Sequence, residues 1–238
     1  MRAAARLAGL ILLFLLCVGP HLLSKLVFGR SRWPRRFLAA AAWIVGARVR
    51  VTGEPLRPHS LILANHTSWI DVLVISAATG CRFVSKDQLG HGFVHWLANQ
   101  DGTIYIRRSD RRDSKNQALT IAKALEEPQP VALFPEGTTG PELLPFRSAL
   151  LEAVTYASKE VEVRPVALDF GEATAEIAWH DERGVDNVKR VLGRKGTLPV
   201  TVRLLPPLER TDRKHMAEAA RHSIGGALAA SSSAAGRL

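Results

Sequence analysis

The chain has 238 residues, 47% of them hydrophobic, which is enough for one domain with a sizeable core and an appendage. Thirty-two Lys and Arg against 22 Asp and Glu leave a net charge of +10, so an anionic partner is expected: nucleic acid, anionic lipid, a phosphate-bearing substrate or an acidic protein. Two cysteines, Cys17 and Cys81, imply no disulfide framework and suit a reducing compartment, and neither is marked as a metal ligand.

Leu7 to Val18 is apolar without a charge, and apolar character resumes after Gly19-Pro20 as far as Phe28. The segment reaches the roughly 20 residues of a membrane span only by including Pro20, His21 and Lys25. A cleaved signal peptide suits Arg2 and Arg6 ahead of a short apolar core, but no small-x-small cleavage site follows. A second apolar segment, Phe37–Ala47, comes after Arg30, Arg32, Arg35 and Arg36 and is too short to span. Cations on both sides of the first segment select no orientation. Residues 1–47 therefore read as a membrane anchor of two helices, dipping into one leaflet or lying in its surface with arginines at the headgroups. The alternative is a buried core helix pair.

Ala47–Thr52 alternates as a strand, ended by Gly53-Glu54-Pro55, and Leu61–Ala64 reads as a short buried strand. It leads into Asn65-His66-Thr67-Ser68-Trp69-Ile70-Asp71 and then an apolar helix, Val72–Ala78. Five residues along a helix turn by about 500°, so His66 and Asp71 would diverge by about 140° on one helix. They meet only if His66 stays in the preceding turn. Ser68 as N-cap, with Asp71 three residues on, allows this. Histidine is the commonest general base near neutral pH, and a carboxylate can fix its tautomer. The plain alternative is a capped helix beside a loop histidine.

Residues 81–86 read as a strand and 91–97 as a helix. His91 and His95 have a metal-ligand spacing, but no third ligand accompanies them, so they are expected to be surface or packing histidines and no metal site is expected. Residues 102–108 form a strand ending in Arg107 and Arg108, continued by Arg111, Arg112 and Lys115. Guanidinium groups at a strand end suit a phosphate ester, and a solvated loop is the alternative. Asp113–Glu127 is an amphipathic helix stopped by Pro128, and Val131–Phe134 is a buried strand. That strand runs into Pro135-Glu136-Gly137-Thr138-Thr139-Gly140, an acid followed by a turn able to face an anion. A helix is expected to open at 144–150, and a strand at 161–170 to be interrupted by Pro165. Later strands are expected at 173–179 and 199–204, a basic helix or loop at 184–195, a helix at 211–230 and a frayed tail at 231–238. Residues 48–230 then form the catalytic domain.

His66 with Asp71, Arg107 with Arg108, and Glu136 with Gly137 all stand at strand ends. In a parallel α/β sheet such ends converge on one edge. This order of motifs resembles the glycerolipid acyltransferases, the PlsC-like lysophosphatidic acid acyltransferase family. The likeness covers roughly residues 60–170 and the hydrophobic N-terminus. The first motif, Asn-His-x-Ser-x-x-Asp, is matched at Asn65, His66, Ser68 and Asp71. The second, a glycine-led apolar strand ending in Arg, runs from Gly102 to Arg108, with Arg107 where an acid is common. The third, Phe-Pro-Glu-Gly-Thr, is matched in full at Phe134–Thr138, with Thr139 where a basic residue often follows. Phe146-Arg147 and Pro165-Val166-Ala167 match later elements.

The resemblance implies an α/β fold, a mostly parallel central sheet flanked by helices behind an N-terminal hydrophobic membrane anchor. It implies that His66 deprotonates a lysolipid hydroxyl attacking an acyl thioester while Asp71 orients His66. Arg108 would hold a glycerol phosphate, Glu136, Gly137 and Thr138 would shape its pocket, and Asn65, Ser68, Arg107 and Arg147 would complete the substrate site. The donor would be acyl-CoA or acyl carrier protein, with no cofactor and no nucleic acid partner. The enzyme would be associated with membrane lipids, its site on the cytoplasmic face of the inner or plasma membrane. The leading expectation is acylation of lysophosphatidic acid, a lysophospholipid acceptor, to phosphatidic acid. Lyso-ornithine lipid or lysophosphatidylcholine as acceptor is the rival within the family. A non-catalytic basic module for nucleic acid or anionic membrane explains +10 and the clusters at 107–112 and 183–195 but not the His, Asp, Arg and Glu at strand ends, and no Trp or Tyr interleaves with those two basic runs. Oligomeric state is left open.

Overall fold

The structure, a computed structural model, describes residues 1–86, 92–100, 102–106 and 114–235. The expectations for His91, Arg107, Arg108, Arg111, Arg112 and residues 236–238 fall outside these. The strands are β1 Ala47–Gly53, β2 Ser60–Ala64, β3 Arg82–Lys86, β4 Ile104–Ile106, β5 Val131–Leu133, β6 Glu162–Asp169 and β7 Leu198–Leu204. They form one sheet in the order β1-β7-β6-β2-β5-β3-β4. From β6 across to β4 every neighbouring pair is parallel, while β7 runs antiparallel to β6 and parallel to β1. The carboxyl ends of β6, β2 and β5 therefore lie side by side.

The helices are α1 Arg2–Phe28, α2 Trp33–Val45, α3 Ile70–Thr79, α4 Phe93–Gln100, α5 Ser114–Leu125, α6 Ala153–Tyr156, α7 Thr174–Ile177, α8 Gly184–Gly193 and α9 Arg213–Ala235. Every residue of β2 is buried, as a strand covered on both faces demands. Ile62 and Ala64 pack with Ala42 of α2, Val74 of α3 and Val191 of α8. Leu61 and Leu63 pack on the other face with Ile121 of α5, Val154 of α6 and Ala220 of α9. Each buried Leu, Ile or Val among them contributes roughly 1.5–3 kcal/mol through burial, so β2 is held firmly from both sides. The loop that leaves its carboxyl end starts from a fixed point.

Helix α1 is a single helix of 27 residues, about 40 Å long. Pro20 lies inside it, removing one main-chain donor, yet the helix continues until Gly29 takes a left-handed cap at φ 66°. Among the described residues it is the one helix long and apolar enough to cross a membrane. Leu12, Leu15, Leu16, Leu23, Leu26 and Phe28 are exposed along it. Elsewhere the helix is fastened to the domain. The Arg6 guanidinium donates to Leu192 O and Arg194 O, both at 3.1 Å, at the carboxyl end of α8. His21 bonds Ser31 Oγ at 2.9 Å and Gln100 Oε1 at 3.1 Å, joining α1 to α4.

Four expectations for local structure change. No helix opens at 144. The N–H groups of Leu144 and Arg147 are instead bonded to the Glu136 carboxylate and to Pro135 O, and a 3₁₀ turn at Ala149–Glu152 precedes α6. Residues 173–179 form no strand: β6 already has β2 and β7 as neighbours, and the chain makes a 3₁₀ turn and then α7. Pro165 does not interrupt β6, because the β7 ladder begins only at Val166 and the missing N–H falls at its end. Helix α9 runs on to Ala235, past its expected end at 230.

Candidate active site

After Ala64 the chain turns before α3 begins at Ile70. Asn65 secures the turn with its amide: Nδ2 donates to Leu168 O at 3.0 Å and Oδ1 accepts from Leu168 N–H at 2.8 Å. The side chain thus extends the pairing of β2 with β6 by one more rung. His66 follows, off the helix as the spacing requires. Its Nδ1 lies 2.8 Å from Asp71 Oδ2, and the same oxygen accepts the N–H groups of Thr67 at 2.6 Å and Ser68 at 2.8 Å. Asp71 is fully buried. A carboxylate already serving as acceptor takes the Nδ1 proton as a hydrogen bond, which leaves Nε2 as the ring's proton acceptor. Phe134 stacks on the imidazole at a centroid distance of 4.0 Å and an interplanar angle of 13°, which limits ring rotation.

Ser68 plays a different part from the one expected. Its Oγ is buried and has no hydrogen-bond partner, so it does not cap α3. Asp71 instead reaches back to the Ser68 N–H, the acidic half of a capping box. One carboxylate therefore starts the helix and orients the imidazole.

Strand β5 delivers the second loop. Glu136 Oε1 accepts from His66 N–H at 2.8 Å and Oε2 from Leu144 N–H at 3.1 Å. In return Gly140 N–H donates to His66 O at 3.1 Å. Gly137 turns the chain at φ 79°, a conformation suited to glycine. Glu136 is 2% exposed. Burial pushes its carboxyl up to about 7, against the pull of the His66 and Leu144 N–H groups. A carboxyl that holds its proton more tightly when folded lends stability that is complete below the unfolded value, near 4.5, and is lost as pH rises through 7. Between pH 5 and 8 the unfolding free energy of the wild type should fall by about 3 kcal/mol more than that of Glu136→Gln. Denaturant titrations in detergent at unit pH steps check this, and parallel curves for the two proteins would contradict it.

A cavity of about 810 Å³ opens beside His66. Its walls are largely apolar: Phe14 and Val18 from α1, Phe37 and Leu38 from α2, Leu73 from α3 and Leu97 from α4. Gly137, Thr138 and Thr139 line it near His66. A smaller cavity of about 260 Å³, lined by Thr67, Glu136 and Asp169, also borders His66. The arrangement offers an oriented base beside an apolar space large enough for hydrocarbon chains.

A family model described as Acyltransferase matches residues 48–169, just over half of the chain. The 1-acyl-sn-glycerol-3-phosphate acyltransferase of Neisseria gonorrhoeae is 33% identical over 153 residues, 60% of this chain and 58% of that protein. The chain belongs to the PlsC-like acyltransferase family. The lyso-ornithine lipid O-acyltransferase of Rhodobacter capsulatus is 32% identical over 196 residues, 76% of this chain and 70% of that protein. The crystal structure of the LPA acyltransferase PlsC from Thermotoga maritima shares the fold, with a TM-score of 0.62 over 95% of this chain and 97% of that one at 19% identity.

In this PlsC-like acyltransferase the expected site residues separate by position. His66, Asp71, Glu136, Gly137 and Thr138 are brought together. Asn65 and Ser68 lie beside them, with the Asn65 amide engaged by Leu168 and the Ser68 side chain buried behind the loop. Arg147 is exposed and lines neither cavity. Arg107 and Arg108 are outside the described residues. Thr139, where the family often carries a basic side chain, donates its hydroxyl to Trp179 O at 2.6 Å. Trp179, His180 and Asp181 join the wall of the large cavity without having been expected there. The sequence carries no signal there beyond the Trp-His-Asp run itself. His95, expected to be a surface or packing histidine, lies with its ring 4.8 Å from that of Tyr105.

Proposed function

We propose that this acyltransferase moves a fatty acyl group from a thioester, acyl-CoA or acyl carrier protein, to the free hydroxyl of a lyso-ornithine lipid at a membrane surface. The observation that carries acyl transfer is the His66–Asp71 pair, 2.8 Å apart, bordering an apolar cavity walled by α1 and α2. The relatives support this acceptor: the Rhodobacter capsulatus protein named for lyso-ornithine lipid is matched over 76% of this chain, the Neisseria gonorrhoeae protein named for 1-acylglycerol-3-phosphate over 60%. Lysophosphatidic acid is the second reading, favoured by the complete Phe134–Thr138 motif, with Arg108 holding the phosphate.

His66 Nε2 takes the hydroxyl proton as the oxygen attacks the thioester carbonyl. The C–O bond forms, the C–S bond breaks, and the imidazolium returns its proton to the departing thiolate. The base acts directly on the acceptor, so no acyl-enzyme is needed. Asp71 stabilises the imidazolium, and we assign the oxyanion to the Gly137–Thr139 turn. Helices α1 and α2 sit in the membrane, with the site on the cytoplasmic face where the donors are. Charge supports the membrane contact: residues 1–47 carry seven Lys and Arg and no acid, so most of the +10 lies in the segment that meets lipid.

The test is the purified chain in vesicles with both donors and three acceptors, lyso-ornithine lipid, lysophosphatidate and lysophosphatidylcholine, followed by lipid mass analysis. The highest kcat/KM is expected with lyso-ornithine lipid. A higher value with lysophosphatidate transfers the assignment to phosphatidic acid synthesis, and no transfer to any acceptor sinks the reading.

A further inference from the structure

The Trp179–Asp181 turn lies beyond the residues 48–169 that carry the family match, yet it is bolted to the site. Trp179 N–H donates to Thr67 O at 2.9 Å, and Trp179 O accepts from Thr139 Oγ1 at 2.6 Å. Thr67 adjoins His66 and Thr139 adjoins Thr138, so the turn is fixed relative to both catalytic loops. Asp181 then adopts a left-handed backbone at φ 48°, which Asp and Asn accept more readily than most residues. The outcome is that Trp179, His180 and Asp181 line the same cavity as His66.

The charge there is distinctive. Among the described residues lining the large cavity there is no Lys, Arg or Glu, and Asp181 is the one carboxylate. No described residue forms an ion pair with it. Trp69 and Trp179 line the same cavity. Their indole N–H groups are already bonded, to Asn187 Oδ1 at 3.0 Å and to Glu182 O at 3.1 Å, so ring carbon is what they offer a ligand. An exposed carboxylate on a cavity wall that also carries indole rings complements an ammonium, by ion pairing and cation–π attraction, and opposes a phosphate.

We propose that the Trp179–Asp181 turn is a headgroup subsite in which Asp181 binds the side-chain ammonium of an ornithine-bearing acceptor. His180 beside it is placed to donate to the headgroup's carboxylate. The assignment rests on the lyso-ornithine reading above and names the part of the chain that enforces it.

The experiment uses the full chain in vesicles with acyl thioester and three acceptors: lyso-ornithine lipid, the same lipid with its side-chain amine acetylated, and lysophosphatidate. The wild type should prefer the free amine over the acetylated one by about tenfold in kcat/KM, the scale of one charge-assisted contact. Asp181→Asn, which keeps a residue suited to the left-handed turn, should collapse that preference towards unity, chiefly through KM. Asp181→Lys should lower kcat/KM for lyso-ornithine lipid and raise it for lysophosphatidate. Equal losses on all three acceptors would make the turn a structural brace only and overturn the proposal, as would an unchanged preference in Asp181→Asn. A wild type that acylates lysophosphatidate alone overturns the subsite and leaves acyl transfer standing, whereas a wild type inactive on every acceptor removes both.

Discussion

Replacing His66 with alanine is expected to lower kcat by about 10²–10⁴-fold, the range that a positioned general base contributes. The hydroxyl of a lysolipid ionises far above neutral pH, so without a base its oxygen attacks the thioester as a poor nucleophile. KM for donor and acceptor should change far less, because the cavity walls come from α1, α2, α3 and α4 rather than from the imidazole alone. The loop should survive the substitution. Its backbone is held by Glu136 on His66 N–H, by Gly140 N–H on His66 O and by the Asn65 amide on Leu168, none of which uses the ring. Steady-state rates with saturating donor check the prediction, and thermal melting confirms that the variant is folded. Turnover within tenfold of wild type would remove His66 from the chemistry.

What made His66 legible was locality. A buried run, a turn and an apolar helix place the histidine and the aspartate five residues apart, and helix geometry alone requires the histidine to stand off the helix. The Glu136-Gly137 turn was legible for the same reason, as a strand end followed by glycine. The role of Glu136 was less so. It lines the smaller cavity, as a pocket-shaping residue would, and its two oxygens also hold the backbone N–H groups of His66 and Leu144. That bond pattern joins residues 70 positions apart in sequence, and no local signal announces it.

The Ser68 cap shows a subtler limit. The pattern Ser-x-x-Asp correctly marks the start of α3, but which side chain makes the bond depends on the turn's conformation, and here the carboxylate does. The Trp179–Asp181 wall was hidden because alternation in 173–179 imitates a strand, while β6, the strand before it, already has β2 and β7 as neighbours. Pro20 is included in the apolar segment, and the helix does run through it: a proline costs one helical bond, and α1 bears that cost through 27 residues.

Asp71→Asn is the sharper probe of the dyad. All three donors that Asp71 receives, His66 Nδ1–H, Thr67 N–H and Ser68 N–H, converge on Oδ2, and Oδ1 has no partner. An asparagine that places its carbonyl oxygen at the Oδ2 position can accept all three, so the loop, the helix start and the histidine tautomer are retained. Its amide then occupies the Oδ1 position as a buried donor without an acceptor, at a cost of about 1–3 kcal/mol in stability. What disappears is the negative charge beside the imidazole. In the proposed attack the ring becomes imidazolium, and a fully buried counter-charge 2.8 Å away would stabilise that state far more than the neutral ring. The expected result is a fall in kcat of about 10²-fold or more, with a folded protein and KM close to wild type. Asp71→Ala should behave differently: it orphans three donors at once, and the stability loss of several kcal/mol should be visible before activity is measured. If Asp71→Asn retained nearly full kcat, the carboxylate would be a helix cap and loop anchor only, and His66 would act without an electrostatic partner. If Asn and Ala lost activity and stability in parallel, the charge would matter only through folding. A stable, folded Asp71→Asn protein that binds both substrates but turns over slowly is the outcome that separates orientation from charge.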